Sequence, residues 1–358
     1  MMTQKKKKLV LENGMSFSGI GYGYRGQTVG EIVFNTSMVG YQEIISDPSC
    51  AGEIIVMTYP LIGQYGIIEE DSEAKNSYIK GLVVRECCES PSNFRYTKTL
   101  SEELEDRGIP CIAGVDTRML TRIIREQGRM KAAIVDEETT DKEALALIKA
   151  EKTDTNWTEL TCCTKRSFAR TPHHKYDVVV IDCGMKHGIV GALTQRDCNV
   201  TIVPYTTTAE EIEAFNPDGV LVSSGPGDPK QLAGVISAIN ALKGKLPIFG
   251  ICLGHELIAL SYGADIVSMH CGHHGGQPVR DCASGRIITV EHNHNFAVDE
   301  DSAVKHGLTV TFKDVTDGTV EGLECEKDRI FSVQFHPEGA PGPQESGMFD
   351  KFVKMMEG

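Results

Sequence analysis

Hydrophobic and polar residues follow different patterns in the two halves of the chain. In the first half, short apolar runs separated by glycines indicate β-strands, and two stretches with apolar residues at helical spacing indicate helices. The strands are expected at residues 8–12, 31–34, 53–57 and 81–85, and the helices at 100–107 and 117–126. This pattern predicts a β-rich α+β domain over residues 1–150.

The second half alternates strands with helices. Residues 177–182 form a continuous apolar run between two aspartates, as expected of a strand that is buried on both faces. Similar runs follow at residues 199–204 and 218–222, with segments of helical spacing between them. The alternation predicts a doubly wound, mainly parallel α/β sheet over residues 177–358, with its functional groups at the carboxyl ends of strands.

Residues 151–176 differ in composition from both halves. They contain the only tryptophan, Trp157, the adjacent Cys162 and Cys163, and a basic run with proline and histidine. Such a shift in composition is typical of a crossing between domains. We therefore expect a linker here, with Trp157 packing it onto a domain.

Composition narrows the class of protein. A chain of 358 residues, 41% of them hydrophobic, suits two globular domains. The net charge of −14 argues against a nucleic-acid-binding surface, which would need a basic face. No apolar stretch approaches the roughly 18 residues of a membrane span. Twelve cysteines without a Cys-x-x-Cys pair favour reduced thiols in a cytoplasmic protein.

The segment 247–260 has the form of a nucleophile elbow. A strand-like run leads into Gly250, Cys252 and Gly254, and an apolar, helix-compatible stretch follows. Flanking glycines permit a tight turn, and the start of a helix favours a thiolate over a thiol. The alternative is a cysteine buried in the core at the end of a strand.

His336 and Glu338 follow a strand-like run near the end of the chain, and they can complete a catalytic triad. A carboxylate beside a histidine orients the ring and stabilises its charged form, so that the ring can move protons for a thiolate. Gly225 and Gly227 form a turn after another strand. There an N–H group could join the N–H of Leu253 in an oxyanion hole, although an ordinary turn has the same sequence.

Taken together, residues 250–255 and 336–338 resemble the class I (triad) glutamine amidotransferases. Residues 34–49, 58–63 and 114–118 are similar to the small, glutamine-hydrolysing subunits of carbamoyl phosphate synthetases, and these motifs are not shared by other amidotransferases. The resemblance covers nearly the whole chain.

The resemblance implies a ligase subunit of arginine and pyrimidine biosynthesis. Cys252 would release ammonia from L-glutamine, and a large subunit would use it with bicarbonate and two ATP to make carbamoyl phosphate. Residues 1–150 would dock that subunit in a heterodimer or a higher oligomer. No cofactor is expected in this chain, since ATP and magnesium would bind to the large subunit.

The resemblance also implies a set of glutamine contacts. These are Ser49, Gly225, Gly227, Leu253, Glu256, Asn293, Asn295 and Phe296. The family usually has glutamine where this chain has Glu256 and glycine where it has Asn295, and it often has glutamine in place of His292. Because asparagine tolerates a left-handed backbone, we expect Asn295 to keep the turn. We also expect Glu256 to alter glutamine affinity without abolishing activity.

Three other assignments compete with this one. Histidines and a cysteine at 270–274, with His292 and His294, could supply metal ligands. Their spacing is not a tetrahedral zinc pattern, and the family has this loop without a metal, so no metal is expected. Glu256 and Asn295 also fit a non-catalytic scaffold subunit. The third possibility is an amidotransferase subunit of another synthase, such as anthranilate synthase.

Overall fold

Seven strands of the first half close into a barrel in the computed structural model, which describes residues 5–151, 155–339 and 347–357. The described residues form two units, the first made of residues 5–151 and 155 with 270–274, and the second of residues 156–269 with 275–339 and 347–357. None of the described helices is long and apolar enough to cross a membrane.

The first unit is β-rich, as predicted. Its elements are β1 Lys6–Leu11, β2 Ser16–Gly23, β3 Thr28–Asn35, α1 Tyr41–Ser46, β4 Glu53–Met57, β5 Leu61–Ile62, β6 Gly81–Val84, β7 Glu86–Cys87, α2 Leu100–Asp106, β8 Pro110–Ala113, α3 Thr117–Gln127, β9 Met130–Asp136 and α4 Asp141–Ala150. The barrel order is β1-β2-β8-β6-β4-β3-β9, closed by pairing of β9 with β1.

Both faces of the central barrel strands are buried. On β3, Ile32 packs into one apolar cluster and Val33 into another, and Ile54 and Ile55 of β4 do the same. Successive side chains of a strand point to opposite faces, so unbroken apolar runs are what such strands require. The predicted strands at 31–34 and 53–57 are confirmed for this reason.

The second unit contains the predicted sheet. Its elements are α5 Trp157–Thr161, β10 Ser167–Ala169, β11 Tyr176–Asp182, α6 His187–Thr194, β12 Cys198–Pro204, α7 Ala209–Glu213, β13 Gly219–Val222, α8 Ala233–Leu242, β14 Ile248–Ile251, α9 Leu253–Ser261, β15 Ile266–Asp281, β16 Ile287–Val298, α10 Glu300–Lys305, β17 Thr309–Asp314, β18 Val320–Cys325, β19 Ile330–Val333 and α11 Met348–Met356.

The sheet has ten strands in the order β10-β12-β11-β13-β14-β19-β18-β16-β15-β17. Five of them, from β12 to β19, run parallel, and antiparallel strands extend the sheet on both sides. On β11, Val178 and Val179 face different buried clusters, so both faces of the parallel part are covered. This arrangement places the carboxyl ends of β13, β14 and β19 side by side.

Most of the described part of the segment predicted as a linker, 151–176, belongs to the second unit. It forms α5 and β10, and β10 pairs antiparallel with β12, from Ser167 opposite Ile202 to Ala169 opposite Val200. The basic, proline-containing composition of this segment did not indicate the edge strand β10. Polar edge strands lack the apolar alternation by which buried strands are recognised.

The elbow depends on a close approach of backbone to backbone. A Cβ atom on Gly254 would lie 2.2 Å from the carbonyl oxygen of Val222, so we expect Gly254→Ala to lower the free energy of unfolding by about 3 kcal/mol or more. Gly191→Ala is the matched control: Gly191 lies in α6 with nothing within 4 Å of the position that a Cβ would take, and alanine there should stabilise by up to about 1 kcal/mol. Urea unfolding measures both, and equal effects would contradict this explanation of the elbow.

Candidate active site

Cys252 lies on a strained turn between β14 and α9. Its backbone dihedral angles are φ 54° and ψ −107°, in a region that side chains other than glycine rarely adopt. Its N–H donates to the carbonyl of Val333 at 2.8 Å, which fixes the turn against the end of β19. The residue is 2% exposed and begins a helix of nine residues, whose positive end favours a thiolate. The geometry is that of the predicted nucleophile elbow.

Gln334 and Asn293 contact the sulfur atom of Cys252. The Nε2 atom of Gln334 lies 3.8 Å from Sγ, and the carbonyl oxygen of Asn293 lies 3.5 Å from it. Gln334 comes directly after β19, whose Val333 is the register partner of Ile251, so the sheet itself sets it beside the elbow. Sequence analysis did not identify Gln334. Its only signal was its position at the end of a strand next to the nucleophile strand.

His336 and Glu338 are joined by a short hydrogen bond. Nδ1 of His336 and Oε1 of Glu338 are 2.7 Å apart, and both side chains are fully buried. The His336 backbone N–H donates to the carbonyl of Glu291 at 2.9 Å. Nε2 of His336 is buried and has no hydrogen-bond partner among the described residues. The carboxylate therefore orients the ring, and the second nitrogen remains available for proton transfer.

Lys186 places a positive charge beside Glu338. It precedes α6, is 4% exposed, and its Nζ lies 3.6 Å from Oε1 of Glu338. Burial acts to raise the pKa of Glu338, but His336 and Lys186 outweigh it and lower the pKa to about 2. Glu338 thus remains ionised throughout the neutral range. Sequence analysis missed Lys186, although it follows β11 at the same sheet edge.

We expect Lys186→Met to destabilise the protein by about 3 kcal/mol, because the substitution leaves the buried Glu338 with one charged partner fewer. The measurement is the free energy of unfolding. Lys245→Met is the control, since Lys245 pairs with Glu213 at 2.7 Å on the surface and should cost about 1 kcal/mol at most. A loss at Lys186 no larger than at Lys245 would refute this role.

Gly225 and Gly227 form the loop after β13. A Cβ on Gly225 would lie 2.0 Å from the carbonyl oxygen of Cys183 and 3.0 Å from Leu253, and Gly227 has φ +100°. Both glycines are therefore required by the backbone, and the loop lies against the first residue of α9. Thr158 of α5 donates to the carbonyl of Pro226 at 2.9 Å, so the segment predicted as a linker helps to hold this loop.

Ser49 belongs to the first unit. It lies in a single 3₁₀ turn at Pro48–Cys50, and its N–H and hydroxyl both donate to Oδ1 of Asp47, at 2.8 and 2.5 Å. These two hydrogen bonds orient the Ser49 side chain toward Asp47. The other predicted contacts, from Gly225 to Phe296, lie in the second unit.

Comparison with known proteins agrees with this geometry. Residues 9–134 match the family model of the carbamoyl-phosphate synthase small chain, CPSase domain, and residues 179–356 match that of class-I glutamine amidotransferase. The chain is 45% identical to a carbamoyl phosphate synthase small chain of Listeria monocytogenes, over 99% of this chain and 97% of the relative. It is 43% identical to a pyrimidine-specific small chain of Bacillus subtilis, over 98% and 96%.

The chain belongs to the carbamoyl phosphate synthase small chain family. The predicted family is thereby confirmed, and a subunit of another synthase is not what these relatives indicate. The solved structure of a putative GMP synthase protein from Thermoplasma acidophilum resembles 52% of the chain and 96% of its own, with 25% identity and a TM-score of 0.44.

Glu256 is the most consequential departure from the family motif. It lies on α9, is 3% exposed, and its Oε1 accepts a hydrogen bond from Nε2 of Gln334 at 3.1 Å. Burial raises the pKa of Glu256 to about 8, assisted by Asp228 and Glu321 and opposed by Gln334. Near neutral pH the side chain is therefore mostly a neutral carboxylic acid. Such an acid resembles the glutamine that the family usually has there.

The second departure, Asn295, does not form the expected turn. Among the described residues other than glycine, positive φ occurs at Asp197, Asn216, Cys252 and Arg329, and Asn295 instead continues strand β16. The prediction of a left-handed backbone at Asn295 was wrong. A β-strand removes the need for glycine at this position, because extended backbone suits any side chain.

Proposed function

We propose that this small chain hydrolyses the side-chain amide of L-glutamine and passes the ammonia to a synthase partner. The observation that carries the proposal is the strained elbow at Cys252, at the edge of the sheet where the oriented His336–Glu338 pair also lies. A core cysteine would not need backbone dihedral angles that cost stability.

The reaction follows from the groups present. The thiolate of Cys252 attacks the amide carbon, and the resulting oxyanion is stabilised by the N–H of Leu253 and by an N–H of the loop that contains Gly225 and Gly227. His336 gives a proton from Nε2 to the departing ammonia, which leaves a glutamyl thioester. The same nitrogen then takes a proton from water, and the hydroxide attacks the thioester, which releases glutamate and restores the thiolate and the protonated His336.

The remaining predicted substrate contacts stay part of this proposal. Asn293, Asn295 and Phe296 would bind the amino-acid part of glutamine, together with Glu256. Glu256 is mostly neutral near pH 7, and a neutral acid neither repels the α-carboxylate of glutamine nor disfavours the Cys252 thiolate. Glu256 is therefore no longer an argument for a non-catalytic scaffold subunit.

Family membership supports a large-subunit partner. In this proposal the partner binds ATP and magnesium and uses the ammonia with bicarbonate to make carbamoyl phosphate, while the first unit docks to it. Three of the relatives are named pyrimidine-specific, which favours a role in pyrimidine biosynthesis. A role in arginine biosynthesis rests on the motif resemblance.

The test uses glutamine labelled with ¹⁵N in the amide. With a large subunit, ATP and bicarbonate, the label should appear in carbamoyl phosphate even when unlabelled ammonium is present in the buffer. Glutamate release without labelled carbamoyl phosphate would refute the transfer of ammonia but leave the glutaminase intact. Absence of glutamate would refute both.

A further inference from the structure

Two histidines and a glutamate meet in the interior of the second unit. His292 and His294 lie on β16 and Glu321 on β18. Nδ1 of His292 is 3.2 Å from Nε2 of His294, and these two atoms are 3.4 and 3.6 Å from the carboxylate oxygens of Glu321. The three side chains are 0%, 1% and 0% exposed. The mechanism above uses none of them.

We propose that His292, His294 and Glu321 bind a divalent transition-metal ion, with zinc preferred. Zinc bonds of about 2.0–2.2 Å to nitrogen and oxygen, at tetrahedral angles, separate neighbouring ligand atoms by about 3.3–3.6 Å. The two ring nitrogens are 3.2 Å apart, His292 Nδ1 lies 3.4 Å from Oε2 of Glu321, and His294 Nε2 lies 3.6 Å from Oε1, so a small rotation of the carboxylate would bring one oxygen to a comparable distance from both nitrogens.

Two of the proposed ligands, His294 and Glu321, also form hydrogen bonds away from the cluster, as metal ligands in proteins usually do. Nδ1 of His294 lies 2.8 Å from the carbonyl oxygen of Phe296, which places the ring proton on Nδ1 and the lone pair on Nε2, facing the cluster. The hydroxyl of Thr319 donates to Oε1 of Glu321 at 3.2 Å and orients the carboxylate. A single cation would attract all three ligand atoms at once.

His292 is what distinguishes this cluster from the family motif. The family often has glutamine there, and an amide has no ring nitrogen to contribute as a ligand. The resemblance therefore implied no metal. With His292 in that place, the cluster has the two-histidine, one-carboxylate donor set that binds zinc and related ions.

The position of the cluster indicates a structural role. The two strands pair directly between Val298 and Val320, so an ion at His292, His294 and Glu321 would fasten them at a second point. On β16, next to His292, the carbonyl of Asn293 contacts Sγ of Cys252. The ion would thus hold in place the strand segment that faces the nucleophile.

The direct test is the metal content of the full-length chain, expressed without a polyhistidine tag in zinc-containing medium. Elemental analysis should find about one zinc ion per chain, and His292→Gln, the residue common in the family, should lower the content at least about tenfold. Glu321→Gln should do the same. Cys252→Ala and His174→Gln, an exposed histidine, are the controls and should keep the ion.

Loading with cobalt provides a measurement that does not depend on the variants folding. Wild-type protein with Co²⁺ should show the intense visible absorption of tetrahedral cobalt, and a chelator should remove both this absorption and part of the thermal stability. Iron or another divalent ion at the same ligands would support the site. Wild-type protein with less than about a tenth of an ion per chain after zinc dialysis, unchanged content in His292→Gln, or loss of the ion in Cys252→Ala would overturn it.

Discussion

Replacing Cys252 by alanine should lower kcat for glutamine hydrolysis by at least about a thousandfold. The thioester cannot form without Sγ, and the remaining donors of the oxyanion hole polarise the amide but supply no nucleophile. The side chain is 2% exposed and small, so the variant should keep the fold and its affinity for the large subunit. The measurement is glutamate release, with circular dichroism and a binding assay alongside.

Cys198→Ala is the matched control for this substitution. Cys198 is also a buried cysteine of the second unit, but it lies at the opposite, amino-terminal end of a parallel strand, and burial raises the pKa of its thiol to about 11. Its loss should leave kcat within about threefold of the wild type. Equal activity in the two variants would mean that Cys252 is a core residue, and a scaffold function would then be the better explanation.

The second large effect is expected at Glu256 and depends on pH. Because the pKa of Glu256 is raised to about 8, its carboxyl is mostly neutral near pH 7 and ionised above pH 8. Once ionised, Glu256 carries a negative charge beside Gln334, the residue that also contacts Sγ of Cys252. This charge disfavours the negatively charged thiolate of Cys252. The ratio of kcat/KM for Glu256→Gln to that of the wild type should therefore rise about tenfold between pH 7 and pH 9. A ratio independent of pH would contradict this.

The free energy of unfolding of Glu256→Gln, relative to that of the wild type, should also rise with pH. The raised pKa means that the folded protein retains a proton that the unfolded chain has lost, so the wild type loses stability as pH rises from about 4.5 to about 8. Glu256→Gln removes this cost. It should stabilise the protein by a few kcal/mol near pH 9 and have little effect near pH 4. Urea unfolding at both values measures the difference.

Much of the catalytic arrangement could be predicted because it depends on local sequence. Continuous apolar runs identified the parallel strands, and glycines around Cys252 identified the elbow, since a tight turn and close backbone packing leave no room for a Cβ. His336 and Glu338 are two residues apart, so their pairing needed little more than a turn.

The contacts that were missed are long-range. Lys186 meets Glu338 across 152 positions of the chain (338 minus 186), and Gln334 meets Cys252 across 82. Thr158 reaches the glycine loop from a segment whose composition indicated a linker. In each case a polar residue without a motif acquires its contact from the order of strands in the sheet, which local pattern does not specify.

The same limit explains why the proposed metal site was not predicted from the sequence. His292 and His294 were noticed as histidines, but the carboxylate that joins them, Glu321, lies on another strand, and its spacing from them matches no zinc motif. The raised pKa of Glu256 also has a three-dimensional cause, burial. From the sequence alone its charge could equally weaken or strengthen glutamine binding.

The most direct test of the central claim is mass spectrometry of the chain quenched with acid during glutamine turnover. We predict a glutamyl adduct on the peptide that contains Cys252, because the thioester of the proposed mechanism is attached to Sγ of this residue. The adduct should be absent from Cys252→Ala. Glutamate production with no adduct at any time point, or an adduct on another cysteine, would contradict the assignment of Cys252 as the nucleophile.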